Sequence, residues 1–194
     1  FAVFVLQNIE GSSLRVIGLA TACYWIARTA TTVPLSRLMD KTNGERDEFY
    51  FVVAGSFIMS SLPLFYILVS LPWHVYLIQL LMGLANSMAV PAWRILFTDH
   101  IDRGRTGYEW SLEDIAIGLS VGASAYLGSI IADKFGFELV FIMLTILGYI
   151  ATAVFLMPLK NDAKTLIQFK RAGRWSTIKE KREKSTPIKI DGIK

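Results

Sequence analysis

The sequence predicts an all-α membrane protein: a bundle of six transmembrane helices, the first of them truncated. Three observations carry this reading. The 194 residues are 53% hydrophobic, with a mean hydropathy of +0.45. The apolar residues come in unbroken runs, each near the roughly 20 residues that cross about 30 Å of hydrocarbon, rather than in the one-sided stripes of a soluble helix. Short polar turns separate the runs. A membrane β-barrel would show alternating segments of roughly 10 residues, half as long as these.

Phe1 to Leu6 is the end of a first span; it starts in apolar sequence without a methionine and reads as a helix that has lost its beginning. No basic n-region of a signal peptide precedes it. Residues 7–13 (QNIEGSS) form a polar turn, and a second span covers 14–37. A charged turn over 38–48 follows, with Asn43-Gly44 at its tip, two residues that tolerate positive φ. The third span is 49–71 and contains Pro63. The turn at Pro72-Trp73-His74 carries an aromatic of the kind found at membrane interfaces. The fourth span is 75–98 with Pro91 inside it, which neighbouring helices can accommodate. Residues 99–114 make the longest polar connection, and Ser111 with Asp114 resembles an N-terminal cap for a fifth span at 115–132. The sixth span is 137–157 and ends at Pro158. The bundle thus covers 1–158, and a basic tail or linker covers 159–194.

The charge distribution sets an expected orientation. Eleven of the 20 Lys and Arg residues follow Pro158, so the basic balance belongs to the tail and does not mark a nucleic-acid-binding face. Arg37, Lys41, Arg46, Arg103 and Arg105 lie on the same side as the tail, against Arg15 and Lys134 on the other. The positive-inside rule then places loops 38–48 and 99–114 and the tail in the cytoplasm of a multi-pass protein of the plasma or inner membrane. The tail interleaves Leu166, Ile167, Phe169 and Trp175 with its charges. It suits either an amphipathic segment lying on anionic membrane lipids or a disordered terminus. Cys23 has no second cysteine and serves as a small packing residue.

Motifs narrow the class further. Ser36, Leu38, Asp40, Lys41, Gly44 and Arg46 resemble the signature between the second and third helices of major facilitator superfamily transporters. Gly44 sits one residue later than in that signature, and Glu45 stands where its first arginine would be. Gln79-Leu80-Leu81-Met82-Gly83 followed by Pro91-Ala92 is similar to the fourth-helix pattern of the family, with Gln79 in place of its arginine. Asp99 and Arg103-Gly104 resemble the charged cluster that pairs with the earlier loop. The resemblance covers about 1–158, one six-helix half. It implies transport of a small solute by alternating access, with Leu38, Asp40, Lys41, Gly44, Arg46, Asp99 and Arg103 as a gating loop. It also implies a second six-helix half, in the same chain or as a homodimer partner. The rival reading is a non-transporting scaffold or assembly factor built on a degenerate half.

Single residues point to a solute path. Arg28 sits mid-way along the second span, where an arginine costs about 2.5–3.5 kcal/mol on insertion scales. Tyr24 lies a turn away on the same side, as do Thr31 and Thr32. Arg28 is either a wall of the path, suited to an anionic group, or a buried link to another helix. Asn86, mid-way along the fourth span, either contacts solute or bridges helices; Gln79 completes this set. Gly118, Gly122 and Gly128 have the small-residue spacing that lets helices approach closely. His74 and His100 have no Cys or His at ligand spacing, so neither metal nor cofactor is expected. No nucleophile or phosphate-binding motif suggests an enzyme.

Overall fold

A computed structural model describes the backbone of residues 1–41, 46–102 and 104–169, and the side chains of 1–39, 47–102 and 104–156. The side chains of Asp40, Lys41 and Arg46, together with Gly44, Arg103 and the tail from 170, lie outside the described residues. Six helices follow in order: α1 (Ala2–Asn8), α2 (Leu14–Lys41), α3 (Arg46–Tyr66), α4 (Pro72–His100), α5 (Thr106–Phe135) and α6 (Phe137–Phe169). Helices α3 to α6 are long and apolar enough to cross a membrane by length and composition. α2 has the length but carries Arg15, Arg28 and Arg37 along it.

Local chemistry explains most boundaries. Ser13 accepts the backbone N–H of Val16 at 3.4 Å, the N-cap bond that starts α2. Asp47 and Glu48 occupy the first turn of α3, where the helix dipole favours them. Pro72 is the first residue of α4, after an extended Leu71, a position that needs no N–H. The turn before α2 is tied to the turn after α3 by Glu10 N–H donating to the Ser70 carbonyl at 3.1 Å.

Three boundaries differ most from the sequence expectation. α3 ends at Tyr66, before 71. The N–H groups of Ile67, Leu68 and Val69 each bond the carbonyl three residues back, the tightening that closes a helix end. α5 begins at Thr106, not at 115, so most of the expected long loop is helix. Ser111 does not cap; its hydroxyl donates to Gly107 O inside the helix at 2.7 Å. Glu109 instead accepts the backbone N–H of Asp102 at 3.2 Å, and Gly104 at φ 84° makes the bend. α6 continues past Pro158 to Phe169.

α4 is the central element, packed along α2 on one side and α3 on the other, with α6 against α3 and α5 against α6. At the end that carries α1, Phe4, Val5 and Ile9 of the first segment are buried with Val16, Ala20, Leu62, Tyr66, Val75 and Ile78. At the opposite end Met39, Val52 and Ala92 form a second core under Leu35, Trp93 and Phe155. Between these ends helices approach through glycines. A Cβ at Gly55 would stand 2.7 Å from the Ala85 carbonyl and 2.9 Å from the Ala89 Cβ. At Gly83 it would meet the Tyr24 carbonyl, and at Gly148 the Ser60 side chain. Gly118, Gly122 and Gly128 have nothing within 4 Å among the described residues. Their spacing is right, but no described helix faces them.

Candidate functional site

The seam between α2 and α4 holds the residues that the sequence singles out. α3 returns between them, so α2 and α4 run in the same direction. Ala27 and the Tyr24 carbonyl oppose Gly83, and the Thr31 and Ser87 hydroxyls meet at 2.7 Å. Residues 56 apart are therefore level along the seam.

That register places the other side chains. Each residue turns a helix by about 100°. Arg28 lies about 100° on from Ala27, and Tyr24 about 60° on in the same sense. Asn86 lies about 60° from Gly83 in the opposite sense, and Gln79 about 40°. Opposite rotations from the facing surfaces of two parallel helices lead to the same side. Arg28, Tyr24, Asn86 and Gln79 thus all leave the seam on one side, and Leu84, one residue after Gly83, leaves on the other.

Arg28 is near the midpoint of the 28-residue α2 and is half-buried. Its guanidinium lies over the Trp25 ring, 5.0 Å from the centroid, a cation–π contact. Trp25 is itself held edge-on by Tyr24 at 5.4 Å. Among the described residues no carboxylate comes within ion-pair distance of Arg28. Thr31 and Thr32 do not serve as its partners; their hydroxyls donate to the Ala27 and Arg28 carbonyls at 2.7 and 2.6 Å. The Oδ1 atom of Asn86 is buried with no hydrogen-bond donor, a state that costs roughly 1–3 kcal/mol in a protein interior. Gln79 stands beside the buried Tyr66 hydroxyl, outside hydrogen-bonding geometry.

The end of the bundle away from α1 holds a cluster that sequence reasoning missed. Trp93 Nε1–H donates to Glu113 Oε1 at 3.3 Å and joins α4 to α5. Phe97 and Trp110 meet edge to face at 4.9 Å. Trp93 also packs on Phe155 at 6.0 Å, which stacks on Phe49 at 5.2 Å. A row of rings thus crosses α5, α4, α6 and α3. The signal was present as Trp93 and Phe97 four apart, facing Glu109, Trp110 and Glu113 on one face. Of the expected gating residues, Leu38 is exposed near the end of α2 and Asp99 is exposed in the last turn of α4. The structure does not bring either to the Arg28 side chains.

Comparison with known proteins agrees with this architecture. The Major Facilitator Superfamily model matches residues 1–188. An uncharacterized MFS-type transporter of Methanocaldococcus jannaschii is 25% identical over 155 residues, which cover 80% of this chain and 39% of that protein. An uncharacterized MFS-type transporter of Bacillus subtilis is 24% identical over 151 residues, covering 78% of this chain and 89% of that one. The chain spans about two fifths of the archaeal relative's length. No solved structure matches. With six helices, four of them apolar enough to span a membrane, and a family match over nearly its whole length, this multi-pass chain belongs to the Major Facilitator Superfamily, a family of membrane transporters rather than enzymes.

Proposed function

We propose that the chain forms one six-helix half of a secondary-active transporter. It moves a small solute by alternating access, the rocking of two bundles about a central site. The solute path runs along the side of the α2–α4 seam that carries Arg28, Tyr24, Asn86 and Gln79. The observation that carries this reading is Arg28 itself: half-buried at mid-helix, resting on Trp25, with no carboxylate partner among the described residues. A charge in that place needs water, a ligand or a polar partner to offset its cost, and a solute path provides the first two.

In this reading the second half comes from the same polypeptide or from a partner copy. Asp40, Lys41, Gly44 and Arg46, with Leu38, Asp99 and Arg103, act as a cytoplasmic latch whose charge-assisted bonds hold one conformation and break in the other. The excess of Lys and Arg on that side supports the orientation. Proteoliposomes test the proposal: saturable solute uptake that Arg28→Gln lowers at least about tenfold supports it. Protein that carries no saturable flux of any solute is the scaffold, not the transporter.

A further inference from the structure

At the end of the bundle that carries α1, a recess of about 360 Å³ opens between the ends of α1, α3, α5 and α6, a size that admits a small molecule. Phe4 and Tyr66, both buried, lie deepest in it, and the half-buried Phe137 and Phe141 continue the apolar wall. The rings brace one another: Phe4 meets Phe141 edge-on at 4.9 Å, and Tyr66 stacks on Phe141 at 5.4 Å. The polar part of the lining has one sign. Glu138 is exposed and takes no hydrogen bond or ion pair among the described residues. Asn8 donates its Nδ2–H to the Phe4 carbonyl at 3.1 Å, which leaves Oδ1 as an acceptor. No Lys, Arg or His lines the recess among the described residues. The backbone adds to this sign. Ile67 and Phe135 of the lining stand at the C-terminal ends of α3 and α5. Each such end carries about −0.5 charge, and the start of α6 about +0.5. Glu138, in the first turn of α6, more than offsets the latter.

We infer that this recess binds a primary alkylammonium group, with its N–H donors on Glu138 and Asn8 Oδ1 and its carbon chain along Phe137 and Phe141. An anion would be repelled, and a neutral molecule would leave the Glu138 charge unmatched. A metal ion would find no group of three ligating side chains among the described residues. A quaternary ammonium has no N–H to give Asn8 Oδ1, whereas a primary one has three. The recess lies where α3 and α5 end and α6 begins, at the level of lipid headgroups. The ammonium therefore comes either from a free amine or from an aminophospholipid headgroup. This site does not rest on the solute-path reading, because Arg28 stands mid-way along α2 and the recess stands at the end of the bundle.

Calorimetric titration of the purified full chain with propylammonium, ammonium, tetramethylammonium, propanol and propionate tests this. Propylammonium should bind saturably, and propanol and propionate should not bind. Ammonium lacks the carbon chain and tetramethylammonium lacks N–H groups, so each should bind at least about threefold more weakly. Glu138→Gln should weaken propylammonium about threefold to tenfold, and Asn8→Ala about threefold. Asp133→Asn removes an exposed acid outside the lining and should stay within about twofold of the parent. Arg28→Gln should bind propylammonium like the parent. The melting temperature of each variant without ligand shows that it is folded; should Glu138→Gln unfold, Asn8→Ala and the ligand series still decide. Nanodiscs separate the two sources. Weaker propylammonium binding in phosphatidylethanolamine than in phosphatidylcholine assigns the recess to the lipid headgroup, and equal binding assigns it to a free amine. The inference is overturned if the folded parent does not bind propylammonium, or if propanol or propionate binds as tightly. It is overturned equally if folded Glu138→Gln binds like the parent, or if Asp133→Asn weakens binding as much. Loss of binding in folded Arg28→Gln would put the amine in the solute path and also remove the recess as its site.

Discussion

α4 and α5 are nearly the same length, 29 and 30 residues, and both are apolar enough to span a membrane. α4 buries Val75, Ile78, Gly83, Ala85, Ser87, Ala89 and Ala92, whereas α5 buries none of its residues. The glycine-rich helix is α5, yet the close approaches are made by Gly83 of α4, Gly55 of α3 and Gly148 of α6. Small residues permit close packing, but whether a partner is there depends on the facing helix. α5 is fastened to its neighbours near its ends. At the end away from α1, Glu109, Trp110 and Glu113 hold it to α4 and the loop before it, while residues 114–127 stand exposed. In lipid such an apolar surface is the rule rather than a defect, because the hydrocarbon is as apolar as the side chains.

The largest effect should separate the two helices directly. Gly83→Leu drives a side chain into the Tyr24 carbonyl and the Ala27 Cβ. Backbone cannot yield as a side-chain tip can, so a loss of about 3 kcal/mol or more is expected. Gly118→Leu and Gly122→Leu meet nothing within 4 Å and should change stability by less than about 0.5 kcal/mol. Unfolding in mixed micelles reads both. Equal losses from α4 and α5 variants would erase the contrast.

An intermediate effect is expected where the two helices join. Trp93→Phe removes the donor to Glu113 and keeps the ring, and should cost about 1–2 kcal/mol. Glu113→Ala should cost a similar amount, and the double variant no more than the larger single one. Glu113→Gln retains a carbonyl acceptor and should recover most of the loss. Fully additive singles would mean that the two residues act apart.

The smallest effect belongs to Thr31→Val, which keeps shape and deletes the 2.7 Å contact with Ser87. Interhelical hydrogen bonds in membranes average about 0.6 kcal/mol, so the melting shift should be slight, and smaller than that of Trp93→Phe. A larger loss would mean that this bond, rather than the glycine contact, holds the seam.

These contrasts also show what was legible in the sequence and why. The spans were readable because hydrocarbon demands apolar runs of a given length, and α4 and α6 start within a few residues of expectation. The start of α5 was not, because Glu109, Glu113 and Asp114 look like loop residues until Asp102 N–H and Trp93 are seen to take the first two. Arg28 and Asn86 stood out because charge and amide are rare at mid-membrane. Their common side of the seam was not readable, because it depends on Gly83 facing Ala27. That facing is a contact between residues 56 apart, and no local pattern announces it.

The central claim is that the side of the seam with Arg28 and Asn86 is a path open to water. A cysteine placed on each side of α4 tests it most directly. In a Cys23→Ser background, Asn86→Cys and Leu84→Cys in proteoliposomes are treated with a membrane-impermeant thiol reagent. Asn86→Cys is expected to react at least about tenfold faster, because thiol reaction needs water-exposed thiolate, and bound solute should slow it. Equal and slow labelling of the two positions would contradict the path.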